Sequence, residues 1–290
     1  METSQKIVDQ EAGWGALYLP NAHKTHPKNA LRVAVFTSTN AGVLLLDSLT
    51  RFEKKFPDRL ALVGIATDDP LDENAKISVK KRTWHHYTPE EMELMVKGVL
   101  TIADDHEVPC YTGNVKTEYF RQLLLKWNPD AIIMNCFGQK IDSFIYELPD
   151  LGMYNFHPSD LARHVGAGAE PFESTMSSGE PTSVMTLHHV AEDIDAGSIV
   201  GVSPRIRITR EDDTYPEDVR NLQAKIPSVC AWMGIELIQE LIKNRDTDNP
   251  KPLDSIDFSS TMQVPLGELL MHPVCDDLQS YVLPLHPSIV

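Results

Sequence analysis

Three stretches of this chain are apolar almost without interruption: Leu31-Arg32-Val33-Ala34-Val35-Phe36, Leu60-Ala61-Leu62-Val63-Gly64-Ile65-Ala66 and Ala131-Ile132-Ile133-Met134-Asn135-Cys136. A strand with one wet face alternates apolar and polar residues, so runs without alternation need cover on both faces. That cover is written between them. An apolar-periodic segment runs from Ala41 to Phe52. Thr88-Pro89-Glu90-Glu91 is a helix start with a Thr cap, Pro at the first position and acids in the first turn, and its helix extends to about Asp105. A short strand is expected at Val108 to Tyr111 and a helix at Val115 to Trp127, closed by Asn128-Pro129. Strands alternating with helices predict an α/β fold with a doubly wound, mostly parallel sheet.

The flanks differ. Residues 1–30 carry Gly13-Trp14-Gly15, Leu19-Pro20-Asn21 and His26-Pro27 without periodicity and read as an extended N-terminal arm. Past the third run, Gly152 to His157, Thr182 to Val190 and Gly197 to Ile208 read as three further strands. A long helix from about Pro216 to Lys243 closes the body, with apolar positions from Val219 to Leu241 at helical spacing. Residues 31–243 form the expected catalytic domain, and 244–290 a short C-terminal tail with one amphipathic piece, Leu266 to Met271.

Charge narrows the partners. The 290 residues hold 26 Lys plus Arg against 42 Asp plus Glu, a formal net charge of −16, which disfavours nucleic acid. No run approaches the roughly 18 apolar residues of a membrane span, and Met1-Glu2-Thr3-Ser4-Gln5 lacks the cationic start of a secretory signal, so a cytoplasmic protein is expected. The four cysteines, Cys110, Cys136, Cys230 and Cys275, show no CxxC spacing, and no metal site is expected.

Open α/β sheets bind ligands beyond the carboxyl ends of their strands, which points to the loops at 37–40, 67–70 and 136–140. The first of these, Thr37-Ser38-Thr39-Asn40-Ala41-Gly42, contains neither GxGxxG nor a GK[ST] ending, and no GxSxG elbow is present. The polar groups that remain lie farther on. Asn155 and His157 are two apart and therefore share one face of a strand that ends in Pro158-Ser159-Asp160. An amide and an imidazole so placed can donate to an oxyanion growing on a carbonyl, and the imidazole can move a proton. Asp195-Ala196-Gly197 forms a turn that could aim a carboxylate at the same pair.

Tyr154-Asn155-Phe156-His157-Pro158-Ser159 resembles the N-x-H-x-S signature of the folate-dependent formyltransferases. The family's later landmarks follow in order: Gly166 or Gly168, Pro171-Phe172, Ser178-Gly179-Glu180, Thr182, Val184 to His188 and Ile194-Asp195-Ala196-Gly197. The resemblance implies a Rossmann-like formyltransferase fold and an N-formyltransferase that uses 10-formyltetrahydrofolate as donor. It implies that Asn155 is the oxyanion donor, His157 the general acid and base, and Asp195 the carboxylate that orients His157 or a relaying water. His188 would support the Asp195 loop. The pterin would sit against Phe137, Gly138, Gln139, Lys140, Ile141, Val190, Glu192 and Asp193.

The chain departs from the family after the histidine, where Ser159-Asp160-Leu161-Ala162 replaces Ser-Leu-Leu-Pro. The stretch Arg163-His164-Val165-Gly166-Ala167-Gly168 is about two residues longer than usual. Ser159, Asp160, Arg163 and His164 are therefore candidate acceptor contacts, and Lys140 and Arg163 candidate counter-charges for the anionic folate. With net charge −16 the expected acceptor is a small-molecule amine: an amino sugar nucleotide, an amino-acid derivative or a ribonucleotide amine. A 10-formyltetrahydrofolate hydrolase and a non-catalytic folate-binding relative stay open as alternatives, as does assembly into a homo-oligomer.

Overall fold

The computed structural model describes residues 5–8, 15–21, 24–72, 75, 86–274, 281 and 283–290. Eleven strands are found among them: β1 (Gln5–Val8), β2 (Gly15–Leu19), β3 (Leu31–Thr37), β4 (Leu60–Thr67), β5 (Cys110–Gly113), β6 (Ala131–Asn135), β7 (Met153–His157), β8 (Thr182–Ser183), β9 (Thr186–His189), β10 (Ile199–Val202) and β11 (Ile206–Arg207). The helices are α1 (Thr39–Lys55), α2 (Pro89–Asp105), α3 (Glu118–Trp127), α4 (Ser143–Tyr146), α5 (Pro171–Ser177), α6 (Arg220–Arg245) and α7 (Phe258–Met271). None of these helices is long and apolar enough to cross a membrane.

Nine strands form one sheet in the order β1-β2-β5-β4-β3-β6-β7-β9-β10. The five central strands pair in parallel, and the outer two on each side are antiparallel. The uninterrupted apolar runs have the expected cause. Leu31, Val33 and Val35 of β3 face one core with α1, α2, α6 and α7, while Ala34 and Phe36 face a second core with Phe120, Leu124 and Trp127 of α3. In β6, Ala131 and Ile133 join the first core and Ile132 and Met134 the second.

Local signals act where the sequence placed them. Thr88 Oγ1 accepts the Glu91 N–H at 3.3 Å and the Glu91 carboxylate accepts the Thr88 N–H at 2.8 Å, a complete capping box at the start of α2. Asn128, in the left-handed region with φ 45°, ends α3.

Four expectations change. The short strand expected at Val108 to Tyr111 begins at Cys110, because the Val108 N–H still bonds the Ala103 carbonyl at the end of α2. Within the expected arm, β1 and β2 extend the sheet; Ala16 and Leu17 are buried, and Gly15 is needed because a Cβ there would overlap the Tyr111 ring. Thr182 to Val190 divides into β8 and β9, and Gly197 to Ile208 into β10 and β11, because Pro204 lacks the N–H that would continue the ladder and the chain crosses to a separate β8–β11 pair. The C-terminal segment is built into the first core: Phe258, Met262, Leu266 and Leu270 of α7 are buried there. Gly13, Trp14 and Cys275 lie outside the described residues.

The strand order reverses beside β3: β4 and β5 continue to one side, and β6 and β7 to the other. At that switch point Thr37 Oγ1 donates to the Asn135 carbonyl at 3.0 Å, and Asn135 Nδ2 donates to the Ala41 carbonyl at 3.1 Å. Cys230 Sγ, from α6, lies 3.7 Å from Asn135 Oδ1. One buried asparagine, through its backbone carbonyl and its side-chain amide, thus joins β3, β6, α1 and α6 at the mouth of the crevice.

If α7 is part of the core, Leu266→Ala, at a fully buried position, is expected to cost about 2–5 kcal/mol. Urea denaturation checks this; a loss below about 0.5 kcal/mol would mean that α7 does not pack as described.

Candidate active site

A cavity of about 350 Å³ opens at the carboxyl ends of β3, β6 and β7. His157 is the last residue of β7 and Asn155 stands two before it. β9 runs antiparallel to β7 with His188 opposite Asn155 and Thr186 opposite His157. Register alone therefore delivers a second imidazole to the amide.

His188 Nδ1 lies 2.8 Å from the His189 carbonyl, which can only accept, so Nδ1 carries the proton. Its Nε2 then presents a lone pair to Asn155 Nδ2 at 3.0 Å. Burial pushes the His188 ring below the ordinary imidazole value, against the opposing pull of the His189 carbonyl and the Asp195 carboxylate, which keeps this nitrogen an acceptor. One Asn155 N–H is committed to His188, and no second hydrogen bond from this amide nitrogen is found among the described residues. His188 therefore acts on Asn155 directly, in addition to standing 3.6 Å from Asp195 Oδ1.

Asp195 enters from the loop after β9 in the left-handed region, φ 54°. Gly197 permits that turn, since a Cβ would run into the His189 carbonyl. Asp195 Oδ2 lies 3.1 Å from His157 Nε2 and accepts the Gly168 N–H at 2.8 Å. Burial would raise this carboxyl, but the hydrogen bond and charge of His157 and the Gly168 N–H outweigh it and hold Asp195 below its ordinary value. Asn155, His157, His188 and Asp195 all line the cavity.

Of the residues expected to hold the pterin, Phe137, Gly138, Gln139, Lys140, Ile141, Val190 and Asp193 border the cavity. The Gln139 side chain is occupied, accepting from the Val115 N–H and donating to the Gly113 carbonyl, so it braces the loop. The Gly138 N–H is likewise committed, to Asp68. Glu192 is exposed and does not border the cavity.

The expected acceptor residues are not brought to it either. Ser159 is fully buried behind His157. Asp160 accepts from Arg205 at 2.8 Å, and Arg163 pairs with Glu180 at 3.3 Å. His164 is exposed at the end of a one-turn 3-10 helix, Leu161–Arg163. Arg205, between β10 and β11, thus supplies the cation beside Asp160. Arg163 does not border the cavity, and Lys140 does.

Of the cavity walls formed by α2, α5 and α6, only the landmark Pro171-Phe172 was marked in the sequence. Tyr87 donates its hydroxyl to Gln223 Oε1 at 2.8 Å, and Met95, Phe172, Glu173 and Pro227 stand around them. Burial pushes the Tyr87 hydroxyl up to about 12. Pro227 lies inside the α6 pattern.

A family model described as formyl transferase matches residues 82–227. The methionyl-tRNA formyltransferase of Rickettsia rickettsii (strain Iowa) is 27% identical over 174 residues, 59% of this chain and 54% of that protein; the chain spans about half the length of the curated relatives it matches. A phosphoribosylglycinamide formyltransferase structure from Bacillus halodurans shares the fold with a TM-score of 0.55 at 18% identity, over 74% of this chain and 97% of that one. A formyltetrahydrofolate deformylase structure from Pseudomonas putida KT2440 does so with a TM-score of 0.51 at 16% identity, over 80% and 70% respectively.

The Asp195 environment sets a pH dependence. A carboxyl lowered in the folded chain stabilises it above the unfolded value, about 4, and that contribution is lost as pH falls through the lower folded value. Asp195→Asn is expected to be less stable than wild type at pH 7, with the two chains converging toward pH 3. Urea midpoints across that range check it; parallel curves would contradict the arrangement.

Proposed function

The chain belongs to the formyl transferase family, and we propose that it moves a formyl group from 10-formyltetrahydrofolate to the amine of a small molecule through Asn155, His157 and Asp195. The observation that carries this reading is the convergence of one amide N–H, one imidazole nitrogen and one carboxylate on a single cavity beyond the ends of a parallel sheet. Backbone of the 136–141 loop and the 190–195 turn forms one wall, with Phe137, Ile141 and Val190 giving apolar cover, and the cavity size suits a bicyclic ring. Lys140 offers a cation to an anionic tail.

In this reading the acceptor amine, uncharged, attacks the formyl carbon and forms the new C–N bond. Asn155 Nδ2–H and His157 Nε2–H hold the oxygen of the tetrahedral intermediate, donors placed before the charge develops. His157 gives the Nε2 proton to the departing folate nitrogen as its bond to the formyl carbon breaks. Asp195 takes the proton lost by the attacking amine and returns it to Nε2, so no net proton is gained or lost by the protein. His188 keeps Asn155 aimed at the oxygen.

The acceptor is a small amine in this reading because a net charge of −16 repels polyphosphate. Incubation with 10-formyltetrahydrofolate and a panel of amines, following tetrahydrofolate release, tests the reaction. Release is expected only when a suitable amine is present; release independent of amine would assign a hydrolase instead. His157→Asn is expected to lower the rate by about 10²–10⁴ with folate binding nearly unchanged, and equal loss of binding and rate would refute its catalytic role.

A further inference from the structure

The cavity has two walls, and they belong to opposite faces of the sheet. Phe137, Ile141 and Val190, on the proposed pterin side, pack with the second core, whereas Phe172 packs with the first. Gln223 and Pro227 stand on α6, whose Leu222 and Ile226 belong to that first core. The end of β7, which presents Asn155 and His157, is part of the sheet between them.

Charge is divided between these walls. Among the described residues, the Lys, Arg, Asp and Glu side chains that border the cavity are Lys140, Glu173, Asp193 and Asp195. Lys140 and Asp193 stand on the pterin side, and Asp195 is paired to His157 at 3.1 Å. Glu173 alone of the four remains for the other wall. We propose that the acceptor carries a second, cationic group on an apolar stem, besides the amine that receives the formyl group, and that Glu173 binds this cation. The acceptor class is then a diamine or a basic amino-acid derivative without phosphate. The inference rests on the formyl-transfer reading of the site.

The surroundings of Glu173 fit such a ligand. It is the third residue of α5, where the Ser177 hydroxyl donates to its backbone carbonyl at 2.8 Å. His86 Nε2 lies 3.2 Å from Oε1, and Oε2 makes no hydrogen bond among the described residues. His86 adjoins Tyr87, whose hydroxyl donates to Gln223, so α5, the approach to α2 and α6 meet around the carboxylate. Tyr87, Met95, Phe172 and Pro227 offer apolar cover to a hydrocarbon stem. An ammonium or guanidinium at its end meets a carboxylate oxygen through a charge-assisted hydrogen bond.

Phosphate meets the opposite conditions. No described Lys or Arg borders this wall. The Thr39 N–H that opens α1, a helix end of the kind that holds anions, is already taken by the buried Asp69 carboxylate at 3.0 Å. A net charge of −16 also draws cations toward the molecule. Of the acceptors expected from sequence, the amino sugar nucleotide and the ribonucleotide amine both carry phosphate, and the amino-acid derivative is the class that fits.

The test follows tetrahydrofolate release from 10-formyltetrahydrofolate with putrescine, cadaverine and lysinamide against butylamine, pentylamine and phosphoethanolamine, beside calorimetric titration of the same amines into the full chain. The dicationic amines are expected to exceed the monoamines in kcat/KM by about tenfold, the effect of one hydrogen bond to a charged group, with phosphoethanolamine lowest. Glu173→Gln keeps the side-chain size and the backbone bond in α5; it is expected to raise KM for the dicationic amines about tenfold, to weaken their binding equally and to abolish their advantage. Equal kcat/KM for dicationic amines and monoamines, preference for the phosphorylated amine, or an advantage that survives Glu173→Gln overturns the inference. So does a chain that binds no dicationic amine, whether or not it turns over. Binding that Glu173→Gln weakens, in a chain that releases no tetrahydrofolate with any amine, refutes the formyl transfer alone. Release supported by monoamines as well as by dicationic amines refutes the second-cation site alone.

Discussion

Cover on both faces of the five central strands is the constraint from which the rest follows. Side chains of β3, β4, β6 and β7 are consumed alternately by two cores, so the middle of the sheet offers no surface for a ligand. Polar chemistry is left to the strand ends, and the reversal of strand order beside β3 opens a crevice at one of them. Asn135 keeps that crevice in register by hydrogen bonding to α1 and accepting from Thr37 through its carbonyl.

At the crevice, a chain of single-purpose hydrogen bonds turns ordinary side chains into directed ones. The His189 carbonyl decides the His188 tautomer, and His188 then decides where the Asn155 amide points. The Gly168 N–H and His157 together overcome the cost of burying Asp195. None of these groups would hold its orientation in water, where each partner could be exchanged for solvent. The acidity of the chain as a whole is kept out of this network, since the charge that matters there is one carboxylate against two rings.

Much of this was legible in the residues. The apolar runs gave the sheet, Thr88 through Glu91 marked the start of α2, and the spacing of Asn155 to His157 required a shared face. The Asp195-Ala196-Gly197 turn carried its own evidence in a glycine that the fold requires. Other features were not. Asp160, Arg163 and His164 follow the signature histidine in sequence, yet none of them borders the cavity, and Asp160 pairs with Arg205, 45 residues away. Tyr87 on the approach to α2 and Gln223 on α6 meet across 136 residues of chain, and neither carries a local mark of that meeting. The strands β1 and β2 were hidden because edge pairing rests on backbone bonds, β1 to β2 and β2 to β5, which leave no pattern in the side chains.

The sequence by itself determined the class of fold, the family signature and the strand that presents Asn155 and His157, because periodicity and turn chemistry are local properties of the chain. Tertiary structure decided which groups act on them. The pairing of β9 with β7 set His188 opposite Asn155, and the return of the 166–168 stretch set Gly166 against Ser159 and Gly168 against Asp195. Those choices depend on backbone carbonyls and N–H groups, which every residue carries alike, so only their positions in space distinguish the ones that matter.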